Sequence, residues 1–315
     1  MPAVNTDTAS LPRLPAVPAA AGFRRVADLR TSITTLEGEG FQVRRPFPGM
    51  DVRVTDPFIL LDQLGAVEYA PGEAKGAPDH PHRGFETVTY VMDGAIEHKD
   101  STGGGGLITD GGTQWMTAGA GIVHSEMPTE ELVVKGGMFH GVQLWVNLPR
   151  DQKWSPPQYQ DIDPGQVSLV ASADGGALVR LIAGDWDGFV APGRTRTPIR
   201  YAHATLAPGA RLELAWPAEF NAMVYALSGA GTVGSVAFAE GQLAVLGAGD
   251  ALTLRAADRQ GAATSTLEVL LLGGRPIREP VAAWGPFVMN TRDEIVQAVE
   301  DFRTGRMGSI PATRA

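Results

Sequence analysis

The 315-residue chain contains no cysteine. That absence removes disulfides, thiolate metal sites and cysteine nucleophiles together. Any metal must then be held by His, Asp or Glu. Uninterrupted apolar runs are also missing: none reaches the about 18 residues that a membrane-spanning helix needs. Basic residues are in deficit, with 26 Lys and Arg against 35 Asp and Glu and a formal charge of −9. Such a surface repels phosphate backbones, so direct binding to nucleic acid is not expected. The first residues lack an apolar signal-peptide core, because Pro12, Pro15 and Pro18 interrupt it. Residues 1–22 read as a flexible Pro/Ala-rich tail, and a cytoplasmic location is the expectation.

What is present points to a globular all-β protein. Hydrophobic residues make up 43% and charged residues 19%, and 39 Gly with 23 Pro punctuate the chain into short strands. Phe58-Ile-Leu-Leu61, Glu86-Thr-Val-Thr-Tyr-Val91 and Gly141-Val-Gln-Leu-Trp-Val146 are typical runs, rich in β-branched and aromatic residues. Residues 23–150 form one strand-rich unit and 166–275 a second. The polar, Pro-rich stretch 151–165 reads as the linker between them, and 276–315 as a C-terminal extension. The extension holds the one clear helix. Asn290 or Thr291 caps it, Asp293 and Glu294 sit in its first turn, and Ile295, Val296, Val299 and Phe302 form one face.

The two halves look like copies. Tyr90-Val-Met-Asp-Gly94 matches Tyr225-Ala-Leu-Ser-Gly229, and Gly119-Ala-Gly121 matches Gly247-Ala-Gly249, in the same order.

Chemistry concentrates in two short clusters, His80-Pro-His82 and His124-Ser-Glu126. Alternate residues of a strand point to one face, so each pair projects together. Two such pairs on facing strands supply His80, His82, His124 and Glu126 to one point. Imidazoles and a carboxylate suit a divalent first-row metal, and an octahedral ion so held keeps two positions open. Glu86 is a rival for the carboxylate position, since it shares parity with His80 and His82. His98, His140 and His203 have no partner two residues away and read as structural. Carried across the repeat, His80 and His82 fall on Ala215 and Pro217, and His124 and Glu126 on Leu252 and Leu254. None of these four binds metal, so the second barrel is expected to be metal-free.

The stretch from His80-Pro-His-Arg-Gly-Phe-Glu to Tyr90, followed by Gln114-Trp-Met-Thr-Ala-Gly-Ala-Gly-Ile-Val-His-Ser-Glu-Met-Pro128, resembles the pirin family of bicupins. Asp56-Pro-Phe-Ile-Leu-Leu-Asp62, Gln143-Leu-Trp-Val-Asn-Leu-Pro149 and Gly285-Pro-Phe-Val-Met-Asn-Thr291 extend the likeness from about Phe23 to Gly308. The resemblance implies two tandem cupin barrels, the N-terminal one holding one metal ion. Iron(II) comes first, with Mn, Ni, Cu, Co or Zn as alternatives. It also implies the ligand set His80, His82, His124 and Glu126, which decides for Glu126 over Glu86. Where the family commonly carries Arg this chain has Ala120, which alters the charge expected near the pocket mouth. Some members resemble quercetin 2,3-dioxygenases, which open a flavonol ring with dioxygen and release carbon monoxide. That reading makes a flavonol-like aromatic and dioxygen the substrates and Glu126, if it swings off the metal, a general base. Phe85, Trp115, Met116, Ile122 and Val123 are the expected source of the apolar lining. The family also implies an alternative, a non-enzymatic, redox-sensitive regulator that binds other proteins. A monomer is the expectation.

Overall fold

Short runs of β-branched and aromatic residues, cut by Gly turns, can bury only one or two faces and so assemble as antiparallel sheets. The computed structural model describes residues 4–47, 49–261 and 264–311. Among these residues no helix is long and apolar enough to cross a membrane. The first barrel closes a large sheet, containing Thr113–Thr117, Phe85–Asp93, Gly137–Asn147 and Phe58–Tyr69 in that spatial order, over a small one. The small sheet runs Ala77–His82, Ile122–Pro128, Ile96–Asp100, Gly105–Ile108. The second barrel repeats this order with Gln242–Leu246, Ala222–Ser228, Leu267–Gly274 and Ile199–Leu206 over Arg211–Ala215, Ala251–Ala256, Ala230–Val233 and Val236–Ala239. The two matching Tyr motifs occupy equivalent strands. The chain is thus two tandem cupin barrels, as expected.

The barrels meet through their large sheets. Along Phe85–Asp93, Val88, Tyr90 and Met92 join one buried apolar layer with Tyr201, Met223, Tyr225 and Leu270 of the second barrel. The opposite face of that strand turns into the first barrel. A one-residue slip would exchange the two faces, so this layer fixes the register.

The connections differ from expectation. The stretch read as a linker contributes a strand, Gln158–Ile162, which pairs with Thr113–Thr117 at the edge of the first large sheet. It looks like a linker because an edge strand buries little: Ile162 is buried, while Gln158 and Asp161 are exposed. Conversely, Val26–Thr31 pairs with Gln242–Leu246 and completes the second large sheet. Each barrel borrows an edge strand from beyond its own boundary. The described part of the N-terminal stretch is largely exposed but anchored at two points on the second barrel. Leu14 is buried, its N–H donates to Ala171 O at 2.9 Å, and Thr8 Oγ1 donates to Gly175 O at 2.6 Å.

The C-terminal extension returns to the first barrel. A hairpin, Ala282–Trp284 and Phe287–Met289, leads into the helix Arg292–Arg303. Thr291 and Glu294 form a reciprocal capping box at its start. Its buried face is Ile295, Ala298 and Asp301, whereas Val296 and Phe302 are exposed, which corrects the expected face. The hairpin, the helix and the residues that follow it cover Val123 with Phe287, Met289, Ile295 and Met307. Arg83 Nη1 donates to Asp301 Oδ2 at 2.7 Å, with both side chains nearly inaccessible. Removing one partner of a buried pair leaves the other charge without compensation. Asp301→Ala is therefore expected to cost about 3 kcal/mol, read as a lowered denaturation midpoint. An unchanged midpoint would show that the arm is held by apolar packing alone.

Candidate metal centre

The site begins with one antiparallel pairing. Ala77–His82 lies beside Ile122–Pro128, so that His80 stands opposite His124 and His82 opposite Ile122. Directly opposed residues share a face, and His82 joins them at two residues' spacing. Between His124 and Glu126 the register shifts, so Glu126 pairs with Ala77. After His82 the backbone turns at Gly84, φ +90°, and enters the other sheet. A Cβ on Gly84 would lie 2.0 Å from Val288 O, so the C-terminal arm can approach this turn only because the residue is glycine. Lys153 Nζ clamps the same place, donating to Gly84 O at 2.7 Å, Asn147 Oδ1 at 2.6 Å and Val288 O at 3.0 Å.

Three imidazoles converge, and one ring nitrogen from each of His80, His82 and His124 lies within 4.8 Å of the others. Each Nδ1 is already engaged. His80 Nδ1 donates to Pro78 O at 2.8 Å and His82 Nδ1 to Pro286 O at 3.2 Å. The His124 Nδ1 meets His98 Nε2. A neutral ring carries one proton, so a donor Nδ1 leaves Nε2 as a bare lone pair. His80 Nε2 and His82 Nε2 face each other at 3.1 Å, an arrangement two lone pairs do not favour alone. His124 Nε2 is buried with no hydrogen-bond partner. Burial, reinforced by the neighbouring histidines, pushes His82 and His124 well below the usual histidine range and holds both neutral. Bare, converging imidazole nitrogens without protein partners are the donor set a divalent transition metal requires.

Glu126 lies outside this close triad. Its carboxylate accepts from Thr89 Oγ1 at 2.7 Å and from Gln143 Nε2 at 3.0 Å. It faces a cavity of about 650 Å³ that also opens onto His80 and His82. Glu86 is elsewhere. It lies on the same face of its strand as Val88 and Tyr90, toward the layer between the barrels, and accepts from Thr117 Oγ1 at 2.7 Å. The turn at Gly84 breaks the parity that made it a rival. Burial pushes its carboxyl up.

The cavity lining also differs from expectation. Phe41, Leu60, Phe139 and Trp145 form apolar wall, with Arg45 and Lys75 among the polar groups. Of the five residues expected there, Phe85 packs behind the site, its ring 5.0 Å from His82 and 4.4 Å from Trp145. Trp115 belongs to the layer between the barrels, Met116 and Ile122 to a separate cluster, and Val123 to the contact with the arm. Ala120 is not part of the lining. Its carbonyl accepts from Arg83 Nε at 2.6 Å, so the departure from the family's Arg falls behind the site.

His98, with no partner two residues away in sequence, stands behind the triad, contacting His124 Nδ1 from one nitrogen and Gln114 Oε1 from the other. The missing signal was strand pairing: His98 lies opposite Glu126 on the neighbouring strand. His140 and His203 lie away from the triad, His140 against Gln63 and His203 between Tyr90 and Glu268.

The second barrel shows what these positions look like without polar groups. Leu214 opposite Leu252 takes the place of His80 opposite His124, and Trp216 stands where His82 does. The repeat spacing had pointed one residue further, to Ala215 and Pro217. Leu252 and Leu254 are buried in the barrel interior as the repeat implied.

Two tandem cupin barrels with three imidazoles gathered in the first define a bicupin with a histidine cluster. The chain belongs to the pirin family. The Pirin profile matches residues 40–146 and the Pirin C-terminal cupin domain profile matches 201–308. A pirin-like protein of Arabidopsis thaliana is 43% identical over 280 residues, covering 86% of each chain. Pirin of Rattus norvegicus is 39% identical over 277 residues, covering 86% of this chain and 89% of its own. A solved structure described as quercetin 2,3-dioxygenase from Acinetobacter baumannii superposes with a TM-score of 0.85 at 35% identity, over 92% of this chain and all of that one.

Outer partners of a ligating histidine commonly change metal affinity by about 10–100-fold. His98→Phe is expected to weaken metal binding within that range while leaving the unfolding midpoint close to wild type. Chelator competition measures the first and circular dichroism the second.

Proposed function

We propose that this protein is a metal-dependent dioxygenase that opens the ring of a flavonol-like substrate with dioxygen and releases carbon monoxide. The observation that carries the reading is the triad of bare Nε2 atoms beside a mostly apolar cavity. His80, His82 and His124 would hold the metal, with Glu126 as the fourth ligand. Iron(II) is the first candidate ion. When bound, it supplies Lewis-acid charge and redox chemistry for dioxygen.

The rest of the work falls to the chain. A cavity of about 650 Å³ is in the range of small-molecule sites. Trp145 and Phe41 offer flat apolar surface for a planar aromatic ring, and Leu60 and Phe139 exclude water around it. Glu126, swung off the metal, would accept the 3-hydroxyl proton, a role supported by the hydrogen bonds from Thr89 and Gln143 that orient its carboxylate. The similarity to the Acinetobacter baumannii quercetin 2,3-dioxygenase supports this substrate class.

A second reading rests on the arm that touches His82 through Pro286. The arm exposes Trp284, Val296 and Phe302 to solvent. A partner docked there would sense the metal through His82, as a redox-sensitive regulator requires.

Iron-loaded protein supplied with quercetin and dioxygen should bleach the flavonol absorbance and evolve carbon monoxide. Failure with every well-loaded first-row metal would rule out the enzyme reading for flavonols. His82→Ala should empty the site by elemental analysis, and Glu126→Gln should lower both metal content and turnover. Glu86→Gln should retain the metal; its loss there, with retention in Glu126→Gln, would reverse the choice of carboxylate.

A further inference from the structure

A row of side chains leads from His124 to the protein surface. His124 Nδ1 meets His98 Nε2, and His98 Nδ1 meets Gln114 Oε1. Gln114 Nε2 then donates to Asp161 Oδ1 at 2.8 Å. His124, His98 and Gln114 are buried, and Asp161 is exposed. The row ends on Gln158–Ile162, the strand within the segment that connects the two barrels.

The direction of each hydrogen bond follows from either end. A carboxylate only accepts, so the Gln114 amide must turn its NH₂ toward Asp161 and its oxygen toward His98. That oxygen also only accepts, so His98 carries its proton on Nδ1. From the other end, a histidine that offers Nε2 to a metal carries its proton on Nδ1. His124 Nδ1 must then donate, and His98 Nε2 must accept. Both ends demand the same tautomer of His98. Every donor points away from the triad, and the row terminates on a full negative charge.

We propose that His98, Gln114 and Asp161 form a polarised relay that fixes His124 as an Nε2 donor and couples metal affinity to the strand joining the barrels. The inference rests on the metal-centre reading above. Gln114 and Asp161 are positioning residues, since neither lines the cavity. The relay acts in two ways. It selects the tautomer of His124, and it makes the His124 ring a stronger donor by drawing its Nδ1 proton toward an anion.

The test uses the full chain labelled with ¹⁵N-histidine, metal-free and zinc-loaded. Long-range proton–nitrogen spectra should show His98 protonated at Nδ1 and bare at Nε2. Gln114→Leu should mix the His98 tautomers and weaken zinc, measured by chelator competition, by about 10–100-fold. Asp161→Ala, at an exposed position that should not disturb folding, frees the Gln114 amide to flip and should act in the same direction. Gln158→Ala, on the same strand but outside the row, should change neither readout.

An Nε2-protonated His98 in the wild type would overturn the relay. So would unchanged zinc affinity in both variants, or an equal loss in Gln158→Ala, which would mark a packing effect. If the wild type takes up no zinc, the metal-centre reading itself fails and the relay's purpose goes with it.

Discussion

The pairing of His80 with His124 across two antiparallel strands is the contact on which the site depends. It places two imidazoles on one face without any loop having to find its position, and His82 follows from the two-residue repeat of a strand. Everything around the pairing holds it in register. The Gly84 turn, the Lys153 clamp and the returning C-terminal arm meet directly behind His82. The two Nδ1–carbonyl hydrogen bonds, to Pro78 and Pro286, then decide which nitrogen each ring presents. A barrel strand supplies the side chains, and backbone carbonyls supply their chemistry.

The comparison between the barrels separates fold from function. Leu214, Trp216, Leu252 and Leu254 fill in the second barrel the space that His80, His82, His124 and Glu126 leave polar in the first. A cupin interior closes well when packed with leucine, as the buried cluster of the second barrel shows. The polar set of the first barrel carries a cost, since a buried ring nitrogen without a partner, such as His124 Nε2, is unfavourable. Its presence in one copy and not the other shows that the cupin fold does not require it.

The exchange of edge strands binds the halves into one object. Val26–Thr31 crosses to the second sheet, Gln158–Ile162 completes the first, and the C-terminal helix returns to the first barrel. Each crossing covers a sheet edge or an apolar face that would otherwise be exposed. The same crossings bring residues distant in sequence to the site: Asp161 to Gln114, and Pro286 to His82.

The sequence by itself determined the strand content, the tandem repeat and the three histidines that gather in the first barrel. Each of these depends on local pattern: β-branched runs, matching glycine motifs and histidines two apart. It also placed the start of the final helix at Asn290 or Thr291, and the structure gives Thr291, closed into a capping box by Glu294. Only the tertiary structure decided the rest. Strand parity alone left Glu86 beside Glu126, and the turn at Gly84 sends Glu86 to the layer between the barrels, because parity does not survive a left-handed glycine. His98 became part of the site through the strand beside it, a neighbour far away in sequence. The linker became a strand and the cavity wall passed to Phe41, Leu60, Phe139 and Trp145, because which face of a strand is inside is settled by its partner sheet and not by its own residues.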